Sequence, residues 1–212
     1  MHKHRFLFLG VALALTANSY AQYSAGVMGG IGHSVQQQVS SSPDYVKLVG
    51  VESVKLLPMV GLYGQFTTSG KRGIVTGLQL RVQSQAQTSG LSSIPPGLVS
   101  SDKRYNRYDY LIVTPYVGIR VFNKLEIAAG PEVNFLVDSH LGSIPRDRNP
   151  AKRIIGYNVR ATYWLNRIGI EGGYNYQSTA FDSQRLSSTD AISFYSRFGY
   201  VSLKYNLFQQ VR

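Results

Sequence analysis

NRYDYLIVTPYVGIRVFNKLEIAAGPEVNFLVDS, residues 106–139, decides the fold. Leu111, Val113, Val117, Ile119 and Val121 occupy odd positions, with Thr114, Tyr116, Gly118 and Arg120 between them. After Asn123-Lys124 the alternation resumes. Leu125, Ile127, Ala129, Val133, Phe135 and Val137 oppose Glu126, Ala128, Gly130, Glu132, Asn134 and Asp138. Period-2 patterning marks strands with one apolar and one polar face, and Asn123-Lys124 reads as the tight turn between them, with Asn tolerant of a left-handed backbone. The polar faces carry charges of both signs mixed with Gly. That suits the inside of a small closed barrel whose apolar side meets lipid.

The rest of the chain repeats this pattern. Tyr23, Ala25, Val27 and Ile31 alternate with Ser24, Gly26 and Met28 over residues 22–35. In 54–67, Val54, Leu56, Val60, Leu62 and Phe66 oppose Lys55, Met59, Tyr63, Gln65 and Thr67; in 74–87, Ile74, Leu78, Leu80 and Val82 oppose Gln79, Arg81, Gln83 and Gln85. Residues 154–165 and 168–180 form a hairpin about Asn166-Arg167, and 192–208 close the chain. The polar, Ser-, Gly- or Pro-containing stretches 36–52, 88–105, 140–152 and 181–191 read as long loops. Long loops alternate with tight turns, as in outer-membrane barrels with an even strand number. The predicted fold is all-β: an eight-stranded antiparallel up-and-down transmembrane β-barrel in the outer membrane of a Gram-negative cell.

Residues 1–21 are set apart from this domain. MHKHR is basic, FLFLGVALAL is apolar, and TANSYA ends with Ser19 at −3 and Ala21 at −1, the form of a secretory signal peptide. Ten apolar residues are too few for a membrane helix. The expected division is a leader at 1–21 and a barrel domain at 22–212. Without Lys3 and Arg5, 20 basic and 11 acidic residues remain, a net charge of +9. There is no Cys, so no disulfide or thiolate metal site, and no cofactor or metal motif is present.

On this register nine charges point into the barrel: Lys55, Arg81, Arg120, Arg160 and Lys204, against Glu126, Glu132, Asp138 and Glu171. Near-balanced, they read as a salt-bridged plug, with a narrow ion path as the competing reading. The remaining basic residues fall at both ends of the barrel. This argues against nucleic acid as a partner and suits anionic outer-membrane lipids, lipopolysaccharide included. Tyr105, Tyr108, Tyr110, Tyr163, Trp164, Tyr205 and Phe208 read as aromatic girdles at the lipid boundaries.

His33-Ser34 and Asp138-Ser139-His140 raise an enzymatic alternative, a lipid acyl hydrolase or transferase. Strands one and five stand on opposite sides of an eight-stranded barrel, which separates the two His, and Ser139 alternates away from Asp138 and His140. The reading adopted is not an enzyme. A soluble secreted ligand-binding barrel is the other alternative.

The segment YLIVTPYVGIRVFNKLEIAAGPEV (110–133), with its mid-strand Pro115 and its Gly130-Pro131, the opening QYSAGVMGG and the closing YVSLKYNLF carry a further indication. In these the chain resembles the outer-membrane β-barrel domain family of Bacteroidota, the PorT-like group, along its whole mature length. It departs from that pattern by continuing QQVR after Phe208. The resemblance implies a non-enzymatic role in the cell envelope, with a secretion or envelope complex as partner in one branch of the family, and no catalytic motif.

Overall fold

The computed structural model describes residues 21–40, 56–68, 73–89, 104–122, 124–141, 151–180, 182–185 and 191–210. Nine strands form one sheet: β1 (Ala21–Ser40), β2 (Leu57–Thr68), β3 (Ile74–Ser89), β4 (Arg104–Val121), β5 (Leu125–Leu141), β6 (Arg153–Leu165), β7 (Ile168–Gln177), β8 (Asp182–Arg185) and β9 (Ala191–Gln210). Every neighbouring pair is antiparallel, and β1 pairs with β9 to close the sheet. β7 and β8 lie along the same edge of β9, pairing with it through Ile168–Tyr176 and Asp182–Arg185 respectively. They form a single interrupted wall, so the barrel is eight-stranded as predicted. At the interruption, the backbone N–H of Ser178 and of Thr179 donate to the Ile155 carbonyl at 2.9 and 3.3 Å, and the Ile155 N–H donates to Thr179 Oγ1 at 2.9 Å. These bonds satisfy backbone groups that the broken ladder leaves over.

The barrel is inside out relative to a soluble protein. Val60 is 62% exposed, Val117 61% and Leu203 60%, whereas Arg81 and Glu171 are 0% exposed. Apolar side chains with this outward exposure lie on every wall of the barrel. Soluble monomers do not present a continuous apolar surface of that extent to water. Hydrocarbon supplies no partner for an open strand edge, so a sheet in lipid must close. Leu125 to Phe135 marks the apolar span of β5, about 25 Å along the barrel axis at ordinary rise and tilt, the height of an outer-membrane apolar band.

The strands run past that band at the long-connection end. Residues 84–89 of β3, 104–109 of β4 and 136–141 of β5 continue pairing above it, as do 33–40 of β1 with 192–199 of β9. Two walls therefore rise above the lipid, and parts of stretches read as loops (36–40, 88–89, 104–105 and 140–141) are strand. At mid-height the β4–β5 ladder skips from Val113↔Val133 to Val117↔Ala129. Pro115 has no N–H to contribute there. Gly130 packs so closely on the Pro115 carbonyl that a Cβ would overlap it.

At the β4–β5 turn Asn123 lies outside the described residues, and its neighbour Phe122 has a positive φ, 54°; at the next turn Asn166 has φ 56°. Two expectations need correction. Tyr108, Tyr110 and Trp164 are not girdle residues: they are buried in the lumen, because they share the parity of the inward faces. Tyr163, Tyr205 and Phe208 do face outward, while the side chain of Tyr105 and residues 1–20 of the expected leader lie outside the described set. Asp138 is the second correction. Pairing passes from Tyr110↔Leu136 to Asp109↔Asp138, leaving Val137 as an extra residue in β5. This β-bulge reverses the face on which the subsequent residues of the strand lie. Asp138 is thereby turned outward beside Asp109, with its side chain 59% exposed.

Candidate functional site

The lumen is built in layers by the inward residues of adjacent strands. At the tight-turn end, Arg120 and Glu126 are directly opposite across the β4–β5 hairpin. Arg120 Nη2 donates to Glu126 Oε1 at 2.7 Å, Nη1 to Gln22 Oε1 at 3.0 Å and Nη2 to Thr67 Oγ1 at 3.3 Å. One guanidinium thus ties four strands together, using the fork of donors that Lys lacks.

Glu171 is the hub of the next layer. Its carboxylate accepts from Lys204 Nζ at 2.6 Å, Thr162 Oγ1 at 2.9 Å, Tyr200 Oη at 3.1 Å and Gln79 Nε2 at 3.1 Å. Arg160 Nε lies 3.8 Å away, and the Arg160 guanidinium stacks 3.5 Å above the Tyr116 ring. Donors from β3, β6 and β9 converge on one acid of β7. A buried carboxylate is tolerated only when paired and hydrogen-bonded in this way. Tyr63 Oη donates to Asn206 Oδ1 at 2.6 Å and Tyr116 Oη to Gln65 Oε1 at 3.2 Å, linking this layer to the one below.

Above the hub, Arg81 Nη2 meets Glu132 Oε2 at 2.5 Å, and the Arg81 guanidinium lies 4.8 Å from the Tyr200 ring centre. Asn158 donates to Asn175 across the β6–β7 pair. The upper mouth is then filled by apolar side chains: Tyr108, Tyr110, Ile112, Ile154 and Phe194, with Leu136 and Ala151 packed against them. Met28, Met59, Tyr63, Trp164, Phe198 and Tyr200 form a second apolar cluster lower down.

Seven of the nine residues expected inside are placed there: Arg81, Arg120, Arg160, Lys204, Glu126, Glu132 and Glu171. Asp138 is at the outer rim, and Lys55 lies outside the described residues. The inward partners not anticipated as part of the network are Gln79, Tyr63, Tyr116, Thr162 and Tyr200. Their signal was present in the sequence, since each shares strand parity with a charge; neutral donors on a polar face simply carry no mark of which acid they serve.

The outward-turned rim of β3–β5 holds a separate polar group. Ser84 Oγ donates to Asp109 Oδ1 at 2.5 Å, and Arg107 Nε to the same oxygen at 2.9 Å. Asp138 Oδ2 stands 3.5 Å from His140 Nδ1, and Asp109, Asp138 and His140 bring their ligand atoms within 4.8 Å of one another. His33 lies on β1, which pairs with β2 and β9 and not with β5. The Ser139 N–H donates to Asp138 Oδ1 at 2.7 Å. Such an arrangement orients the carboxylate and makes no Ser–His pair.

The closed sheet, its apolar exterior and its charged, filled lumen identify a transmembrane barrel of the outer-membrane type, located in the outer membrane. No protein-family model matches the chain, and no curated protein matches it. Among solved structures it is similar to Ail, the attachment invasion locus protein of Yersinia pestis, in complex with the heparin analogue sucrose octasulfate. That match has 10% identity and a TM-score of 0.43, covering 89% of this chain and 99% of that one. It is similar also to the outer membrane protease OmpT from Escherichia coli, at 12% identity and a TM-score of 0.32, covering 88% of this chain and 96% of that one.

Proposed function

We propose that this protein is a non-enzymatic barrel of the cell envelope, serving structure and surface interaction and acting as an accessory of a secretion or envelope complex. The observation that carries this reading is the filled lumen. Layers of ion pairs are closed at the long-connection end by a buried cluster of two Tyr, two Ile and one Phe, which leaves the walls and rim as the working surfaces. The resemblance of residues 110–133 to the PorT-like group of Bacteroidota supports the same role, and a leader at 1–21 fits the route to the outer membrane. The test is a pull-down from detergent-solubilised outer membranes with the barrel as bait. Recovery of one stoichiometric envelope protein supports an accessory role; recovery of lipid alone removes it.

A second reading rests on the rim group. His140, with Asp138 at 3.5 Å and Asp109 beside it, has the composition of an acid–base site at the edge of the membrane. A lipid-modifying enzyme would release or transfer acyl chains from radiolabelled envelope lipid and lose that activity in His140→Ala. The proposed role expects no acyl release from either protein.

A further inference from the structure

The outer surface at the upper border of the apolar band is not uniform. Tyr157, Tyr176 and Arg197 are direct cross-strand neighbours on β6, β7 and β9, and all three are exposed. The Arg197 guanidinium lies 5.5 Å from the Tyr176 ring centre. Higher on β6, Arg153 stands opposite Phe135, the last outward apolar residue before the bulge, and Lys152 adjoins it, both exposed. Below this patch the same strands present Val159, Ile170 and Val201. On the adjoining walls, β4 and β5 set Asp109 and Asp138 at the rim, and Arg107 pairs with Asp109. Among the described side chains, Lys152, Arg153 and Arg197 are exposed cations on the β6–β9 walls at this end, while β4–β5 carries Asp109, Asp138, Arg107 and His140.

We propose that Arg153 and Arg197, flanking the Tyr157–Tyr176 pair, form a docking site for the phosphate-bearing headgroup of an outer-leaflet lipid, whose acyl chains lie along the apolar face below. This inference rests on the membrane reading above and names a lipid class and a sector for it. Guanidinium forks match phosphate oxygens bidentately. Tyr rings sit naturally where an apolar body meets a wet headgroup. The patch is continuous with the lipid-facing band, so a bound lipid needs no new surface.

The experiment uses the full-length mature barrel reconstituted with bis-phosphorylated lipid A, and separately with its dephosphorylated form, read by native mass spectrometry after detergent transfer. Wild-type protein should retain the phosphorylated lipid and release the dephosphorylated one. Arg153→Gln/Arg197→Gln should weaken retention by roughly tenfold or more, as expected for charge-assisted bonds. Lys124→Gln/Arg167→Gln, at the other end of the barrel, should retain lipid as wild type does. Equal retention of both lipids, or an equal loss in both double variants, overturns the site. The comparison of the two lipids needs only wild-type protein, so it decides even where a variant does not fold. Failure of wild-type protein to float with vesicles would instead remove the membrane reading on which the site depends.

Discussion

Glu171 shows what a single side chain carries in this lumen. Glu171→Gln would leave Lys204 and Arg160 as buried cations without their carboxylate, and breaking one side of a buried pair costs about 3–5 kcal/mol. The variant should unfold at clearly lower urea concentration in vesicles, followed by the shift in gel mobility between folded and heated barrel. Glu171→Gln/Lys204→Gln should recover part of the loss, because it removes the stranded ammonium as well. A double variant no better than the single one would mean that Lys204 is held mainly by Tyr63 and Trp164, whose rings lie 4.6 and 6.0 Å from Nζ. Phe122 is the other telling residue. Its φ of 54° is rare for a bulky side chain, and it is 84% exposed, so its ring finds little packing to offset that strain. Phe122→Gly should stabilise the folded barrel by about 1 kcal/mol in the same urea assay; a loss of stability would show that the ring is anchored at the membrane surface.

The informative element is β5, where one extra residue changes which side of the sheet the chain addresses. The absence of Cys makes this directly measurable. Asp138→Cys and His140→Cys should react on intact cells with a membrane-impermeant maleimide, and Glu132→Cys should not. Protection of Asp138→Cys would mean that β5 runs without its bulge; labelling of Glu132→Cys would mean that the lumen is open at that level. Alternation in the sequence was enough to place Glu132, Arg120 and Arg160, because a one-residue error of register would turn a whole row of charges into lipid. It was not enough for Asp138. Val137 is an ordinary strand residue, and nothing in its chemistry announces an insertion. Trp164 and Tyr110 teach the opposite lesson: the preference of aromatic rings for interfaces suggested girdles, yet even-numbered parity on β4 and β6 already assigned both to the interior, and geometry prevailed. The partners of Glu171 come from three other strands, and such convergence depends on barrel closure, which no local pattern reports.

The whole molecule behaves as a solid cylinder with unequal walls. Purified protein in planar bilayers should show no steady ionic current, since ion pairs fill the middle and the Tyr110–Phe194 cluster closes the upper mouth. Sustained single-channel steps would contradict a filled lumen.

The seam between β1 and β9 joins strands from opposite ends of the chain, and Lys204 reaches Glu171 only from β9. Assembly in the cell is thereby governed from the tail: until the final strand docks, the growing sheet has two raw margins and an acid without its nearest counter-ion, and hydrocarbon rejects both. A chain shortened before β9 should stay with periplasmic chaperones and be degraded there, so quality control is written into the order in which the cylinder can be shut.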